Sequence, residues 1–336
     1  MVKYDVVTVG SLFVEATPIT PGLSLRSARE YKMVAGGAAA NFVFALARLG
    51  TSVGFITAVG GDSFGQMAMD EIAAFNIDTA CVKIAKNHLT PVTFAAVDGK
   101  GGKDFSFYRF AGTCNPSEDL NMEDFKAVTD CRIFDFSEGA IRSADLREII
   151  FNAADAARNK GIPVIYAMNL RRSAWNMTDA EIAEIEREAC RHADFVIMNQ
   201  EELELITGAA GSDGIAKLAG IGINSAVITN GGDGDIMMIT DGKIASVAPY
   251  IVPVIYDVGA GDTFHAGLVS ALLKHDIKNI SISNLKECCR FAAAVAAIRV
   301  STSADPHDLP DTEAVMKWMG EKKREERREE ERKIKN

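Results

Sequence analysis

The sequence predicts an α/β protein, with a mostly parallel central sheet between two helical layers and a small β-sheet lid projecting from it. Three observations carry this. Short apolar runs alternate with helical patterns through most of the chain, and near-continuous apolar runs are what strands buried on both faces require. Residues 12–35 and 91–110 are strand-like but have no helix after them. The chain has 336 residues, 48% hydrophobic and 24% charged, enough apolar material for a large core.

Taken in order, residues 6–9 read as a strand, 37–49 as an Ala-rich helix, 53–59 as a strand and 64–75 as a helix. Further strands are expected at 132–136, 163–167, 195–198 and 226–229, with helices at 143–160, 178–190 and 200–206. Thr178 and Glu181 have the spacing of a capping box, in which each side chain satisfies the other's backbone amide. Between 91 and 110, an apolar run, a Gly-rich turn and a second run make a hairpin, which with 12–35 forms the lid. Asp241-Gly242 joins a second hairpin, 236–240 with 243–247. Residues 1–319 are read as one domain. Residues 320–336, nearly all Lys, Arg and Glu, are read as a solvated helical extension or tail.

Charge narrows the partners. The 36 Lys and Arg against 46 Asp and Glu leave a net charge of −10, which disfavours nucleic acid and anionic membrane surfaces. No stretch approaches the roughly 20 apolar residues of a membrane span, and the first residues lack a signal-peptide pattern. Six scattered cysteines without metal-ligand spacing read as free thiols in a reducing compartment, so a cytoplasmic protein is expected.

The most informative stretch is Asp257-Val258-Gly259-Ala260-Gly261-Asp262, leading into an apolar helical run. Small residues let a ligand approach the backbone, and a Gly-rich loop opening a helix aims its N–H groups at an anion. Asp262 is placed to accept a proton from an attacking hydroxyl, and the helix terminus favours its ionised form. The same residues would equally serve a capped helix after a tight turn.

A second stretch, Gly36-Gly37-Ala38-Ala39-Ala40-Asn41 followed by Ala45-Leu46-Ala47-Arg48-Leu49-Gly50, resembles the N-terminal signature of the ribokinase-like, or PfkB, carbohydrate kinases. Gly259-Ala260-Gly261-Asp262 resembles their C-terminal signature, and the resemblance runs from about residue 4 to 317. It implies an ATP-dependent transfer of the γ-phosphoryl group to a hydroxyl of a small sugar or sugar acid. Asp262 would be the base, with the amides of Gly259, Ala260, Gly261 and Asp262 as the anion hole. Gly36, Gly37 and Asn41 would line the sugar pocket, and Glu15 falls where many members carry a substrate-binding Asp. Asn199 and Glu202 resemble an element that organises Mg²⁺ through water, while Thr229, Gly231 and Gly234 would border the nucleotide beside Asn199.

Phe107-Tyr108-Arg109-Phe110 resembles the lid strand of 2-keto-3-deoxygluconate kinases and fructokinases, and Asn169-Leu170-Arg171 with Trp175 resembles another of their substrate stretches. Tyr108, Arg109, Asn169 and Arg171 are therefore expected at the substrate, a 2-keto-3-deoxy sugar acid first and a ketohexose second. On a regular strand Tyr108 and Arg109 point to opposite faces. The chain departs from the pattern at Ala167, Tyr256, Ala293 and Ser303, which bears on a possible monovalent cation (K⁺) and on the adenine pocket. These departures leave a non-catalytic sugar or nucleotide sensor as an alternative. A dinucleotide-dependent oxidoreductase is disfavoured, because no G-x-G-x-x-G opens a helix after the first strand. A homodimer formed through the lid is also expected.

Overall fold

Val6, Val7, Ile56, Ile133 and Phe134 are among the least exposed residues of the protein, as strands covered on both faces must be. The computed structural model describes residues 2–97, 102–110, 112–232, 234–303, 305 and 307–335. The lid turn read at 98–101 and Asp233 lie outside the described residues.

The first half of the chain runs β1 (Tyr4–Val9), β2 (Phe13–Pro18), β3 (Tyr31–Gly36), α1 (Ala38–Arg48), β4 (Val53–Gly60), α2 (Ser63–Ala74), β5 (Val82–Ala85), β6 (Val92–Val97) and β7 (Lys103–Tyr108). There follow α3 (Pro116–Asp119), β8 (Cys131–Ser137), α4 (Glu138–Ile141), α5 (Ala144–Asn159), β9 (Val164–Ala167), α6 (Asp179–Arg191), β10 (Phe195–Asn199), α7 (Gln200–Thr207) and α8 (Gly211–Leu218). The chain closes with β11 (Ser225–Thr229), β12 (Ile236–Thr240), β13 (Lys243–Val247), α9 (Ala260–Leu272), α10 (Ile282–Thr302) and α11 (Thr312–Lys335).

Nine strands form the main sheet in the order β13-β12-β11-β10-β9-β8-β1-β4-β5. It is parallel from β11 to β5; β12 runs antiparallel to β11, and β13, antiparallel in turn to β12, again points the way of the parallel strands. Alternation along a strand divides the core in two. Val6 and Ile133 join Phe44, Leu46, Leu268 and Leu272 on the face covered by α1, α9 and α10. Val7, Val9, Phe134 and Phe136 join Leu146, Ile150 and Leu203 on the face covered by α5 to α8. The α9–α10 contact is built on small residues: a Cβ on Gly267 would lie 2.9 Å from the Ala292 Cα.

The second sheet has the order β3-β2-β6-β7. Its register sets which side chains share a face. Glu15 pairs with Thr93, and Thr93 with Phe107, so these three point the same way. Tyr108 pairs with Val92 and belongs to the opposite face, where it packs on Phe94, which in turn packs on Tyr31. The capping box expected at Thr178 and Glu181 is formed, with the Glu181 amide donating to Thr178 Oγ1. Helix α11 is continuous from Thr312 across residue 320 to Lys335. Among the described residues no helix is long and apolar enough to cross a membrane.

Candidate active site

Parallel strands deliver their C-terminal ends to one edge of the sheet, and there the motif residues collect. Asn169 and Arg171 follow β9, Asn199 ends β10, Thr229 ends β11, and Asn199 and Thr229 are register partners. Helix α9 brings Asp262 to the same edge, because the Asp262 carboxylate bridges two other elements. The Asn41 carboxamide on α1 donates to its Oδ2 at 3.1 Å, and the Asn169 carboxamide donates to its Oδ1 at 3.0 Å. Asn169 adopts a left-handed backbone with φ of 43°, a conformation Asn tolerates better than most residues and one that recurs where a side chain is held in place for function.

The turn before α9 is equally specific. Gly259 caps the helix with φ of 81°, and a Cβ there would lie 3.5 Å from the Asn41 Nδ2 in a strained backbone. The Ala260 amide donates to the Asp257 carbonyl at 3.2 Å. The N–H groups of Gly261 and Asp262 lie in the first turn, with no helical carbonyl four residues back, and are the pair available to an anion. Gly261 is exposed and Asp262 is 7% exposed. Burial pushes the Asp262 carboxyl up; the Asn41 bond, the charges of Arg171 and His265, and the Asn169 bond pull it back. The helix terminus, which would favour the ionised form, thus works against desolvation.

Glu15 approaches Asp262 from the lid, near enough for the Asp262 charge to act on its carboxyl. A Cβ on Gly36 would sit 2.9 Å from the Glu15 Cβ, so any larger residue at 36 would displace this carboxylate. Gly37, with φ of 112°, is equally hemmed in by the Phe13 ring and the Ser11 carbonyl. Glu15 is 7% exposed, and its carboxyl is pushed up to about 7, first by burial and then by the charge of Asp262, with Arg299 opposing. The Arg109 guanidinium lies 5.6 Å from the Phe13 ring centroid, on the Glu15 side of the lid. Desolvation lowers its basicity, and so does the nearby charge of Arg142.

The structure sets Tyr108 on the lid face opposite Glu15. Strand alternation turns it away from Glu15 and Arg109, into the Phe94–Tyr31 cluster, and it is Phe107 that shares the face of Glu15. Asn199 and Glu202 form a reciprocal capping box at the start of α7. The Glu202 Oε2 accepts from the Asn199 amide and its Oε1 accepts from the Leu170 amide, both at 2.7 Å. Glu202 thereby ties α7 to the turn that carries Asn169 and Arg171. Gly231 and Gly234 occupy the turn between β11 and β12; Gly231 has φ of 58° and Gly234 abuts the Asn230 side chain.

Two residues beside the site, Glu138 and Arg142, carried no sequence signal. Glu138, fully buried after β8, accepts from the Arg142 Nε at 2.7 Å and Nη2 at 2.6 Å, and also from the Trp175 indole. It holds in place Arg142, whose charge acts on Arg109, and with it the Trp175 ring.

This geometry combines an α/β fold, a helix terminus with open first-turn amides, a buried carboxylate beside it and a small second β-sheet. The chain belongs to the pfkB family of carbohydrate kinases, whose model matches residues 3–312. It is 30% identical over 321 residues to "Probable fructokinase-6, chloroplastic" of Arabidopsis thaliana, covering 92% of this chain and 81% of that one. It is 25% identical over 328 residues to a 5-dehydro-2-deoxygluconokinase of Clostridium botulinum, covering 96% and 94%. Its fold matches a fructokinase with bound ATP from Xylella fastidiosa with a TM-score of 0.82 at 24% identity, covering 95% of this chain and 99% of that one. It is therefore a ribokinase-like sugar kinase, a phosphotransferase rather than an oxidoreductase.

The raised Glu15 carboxyl makes stability depend on pH. The unfolded group titrates near 4.5 and the folded one at about 7, so the folded state binds the extra proton between these values. Stability falls as pH rises through that window, by at most on the order of 3 kcal/mol from this group. Urea denaturation should therefore find Glu15→Gln more stable than the wild type at pH 8 and equal to it near pH 4.5. A variant less stable at pH 8 would refute the burial reading.

Proposed function

We propose that the protein transfers the γ-phosphoryl group of ATP to a hydroxyl of a small sugar acid of the 2-keto-3-deoxygluconate type, with Asp262 as the base. The observation that carries this is the Asp262 carboxylate held between Asn41 and Asn169 at the amide-rich start of α9. The γ-phosphate would lie against the amides of Gly261 and Asp262, where the helix dipole and the N–H groups favour negative charge. The acceptor hydroxyl would give its proton to Asp262 as its oxygen bonds to the γ-phosphorus. The bond from phosphorus to the β,γ-bridging oxygen breaks, and ADP leaves with the electron pair. Burial, by raising the proton affinity of Asp262, makes it a better acceptor for that proton. Closure of the lid over Glu15 would keep water from competing.

Thr229, Gly231, Gly234 and Asn199 border the proposed nucleotide site. The donor set fits Mg²⁺ carried by the triphosphate and its own waters: among the described residues no cluster of three or more His, Cys, Asp or Glu could cage a metal. Each Glu202 oxygen already accepts one amide, so Asn199 and Glu202 would meet the ion through water. The ion's chemistry is to neutralise charge on the β- and γ-phosphates.

Arg109 and Arg171 favour an anionic acceptor. Arg109 sits beside a second cation, Arg142, and an acceptor carboxylate would relieve that repulsion. A ketohexose such as fructose is the second reading, favoured by the Glu15 carboxylate, which suits hydroxyl donors. Potassium activation is not part of this proposal: beside Tyr256, which replaces the family's Asp, the Arg299 guanidinium is buried 5.6 Å from the ring centroid as a fixed cation. Pairing of two copies through the lid is proposed from edge strand β7, which leaves Phe107 and Tyr108 exposed on its two faces.

Asp262→Asn should keep ATP and acceptor affinity in calorimetry while kcat, read by coupled ADP release, falls by about 10²–10⁴-fold; near-normal turnover would remove Asp262 from the base position. Arg109→Leu should raise KM for 2-keto-3-deoxygluconate by roughly tenfold or more and leave KM for fructose nearly unchanged; equal effects on both would refute the carboxylate contact. Replacing K⁺ by tetramethylammonium should leave kcat unchanged, and a large loss would show that Arg299 does not stand in for a cation.

A further inference from the structure

Behind Asp262 lies a second buried acid that the proposed reaction does not use. Asp135 is on β8 and 1% exposed. Its Oδ1 accepts from the Thr8 hydroxyl at 3.0 Å, from the neighbouring strand β1, where Thr8 and Asp135 are register partners. Its Oδ2 meets the His265 Nε2 at 2.8 Å. A carboxylate inside a parallel sheet needs such partners, because desolvation without them would be costly.

His265 is placed to pass this anchoring on. It lies three residues after Asp262 on α9, so the two side chains share one helix face and the imidazole leans toward the helix start. It is near enough to act electrostatically on the Asp262 carboxyl. Its ring stacks on Phe42 with centroids 4.0 Å apart and planes 17° apart. Phe42 follows Asn41, the residue that donates to Asp262 Oδ2. One imidazole therefore touches the central sheet through Asp135, α1 through Phe42, and the opening of α9 through its own backbone.

We infer that His265 and Asp135 are positioning residues for phosphoryl transfer: their bond fixes the first turn of α9 on the sheet, and with it the Asp262 carboxylate and the amides beside it. This rests on Asp262 being the base. Misplacement of reacting groups by about 1 Å can cost on the order of a hundredfold in rate, so the bond acts on kcat and not on ligand affinity.

The test uses the full chain, ATP, and whichever of 2-keto-3-deoxygluconate and fructose gives the faster turnover. His265→Leu keeps an apolar side chain on Phe42 but loses the donor, whereas His265→Gln can present a donor where Nε2 stands. His265→Leu should lower kcat between about tenfold and a hundredfold, with both KM values within about twofold. His265→Gln should recover most of that loss at similar melting temperature. Asp135→Asn, which changes the other end of the bond at constant shape, should show the same split between kcat and KM and covers the case in which His265→Leu does not fold. Wild-type kcat in His265→Leu, or equal losses in the Leu and Gln variants, overturns the proposal. If Asp262→Asn meanwhile loses turnover, the base assignment survives that failure; if Asp262→Asn is also active, both fall.

Discussion

The site depends on the carboxylate of Asp262 being held by two carboxamides that come from distant parts of the sequence. Asn41 arrives on α1 and Asn169 on the turn after β9, and each donates to a different oxygen. An acid taken out of water this far would favour its neutral form unless donors and cations compensate. Here two N–H donors, Arg171 and His265 do so, and the balance leaves a carboxyl with raised proton affinity. The constraint on the fold is topological. Only a sheet that presents the ends of β1, β8, β9 and β10 on one edge can bring these residues to a single point.

Several other features serve that bridge. Glu202 accepts from the Leu170 amide and so fixes the turn carrying Asn169 and Arg171. Gly36 and Gly37 leave room for Glu15 and Phe13 at the lid root, where side chains would collide. The lid contributes through one face only, that of Glu15, Thr93 and Phe107. The Thr93 hydroxyl on that face is buried without a hydrogen-bond partner, which suits a surface meant to be completed by a polar ligand.

Much of this was legible in the sequence because it is local. Apolar runs gave the parallel strands, the Thr178 and Glu181 spacing gave a helix start, and the two glycine motifs marked the turns that open α1 and α9. Residues whose meaning depends on a distant partner were not legible. Glu138 meets Trp175 across 37 positions, and Asp135 meets His265 across 130, with no local pattern to announce either pair. Tyr108 is a different case. The period of two was visible and already set it opposite Arg109, but its expected place at the substrate came from the resemblance of residues 107–110 to a lid strand, which does not fix the face. The charge state of Asp262 was read from the helix terminus alone, since burial cannot be seen before the fold is known.

The most direct test is a crystal structure with a non-hydrolysable ATP analogue and a bound acceptor. The account predicts the γ-phosphate against the amides of Gly261 and Asp262, and the acceptor hydroxyl within hydrogen-bond distance of the Asp262 carboxylate, with Asn41 and Asn169 still holding it. An acceptor bound with no hydroxyl near Asp262, or a γ-phosphate away from the start of α9, would contradict it.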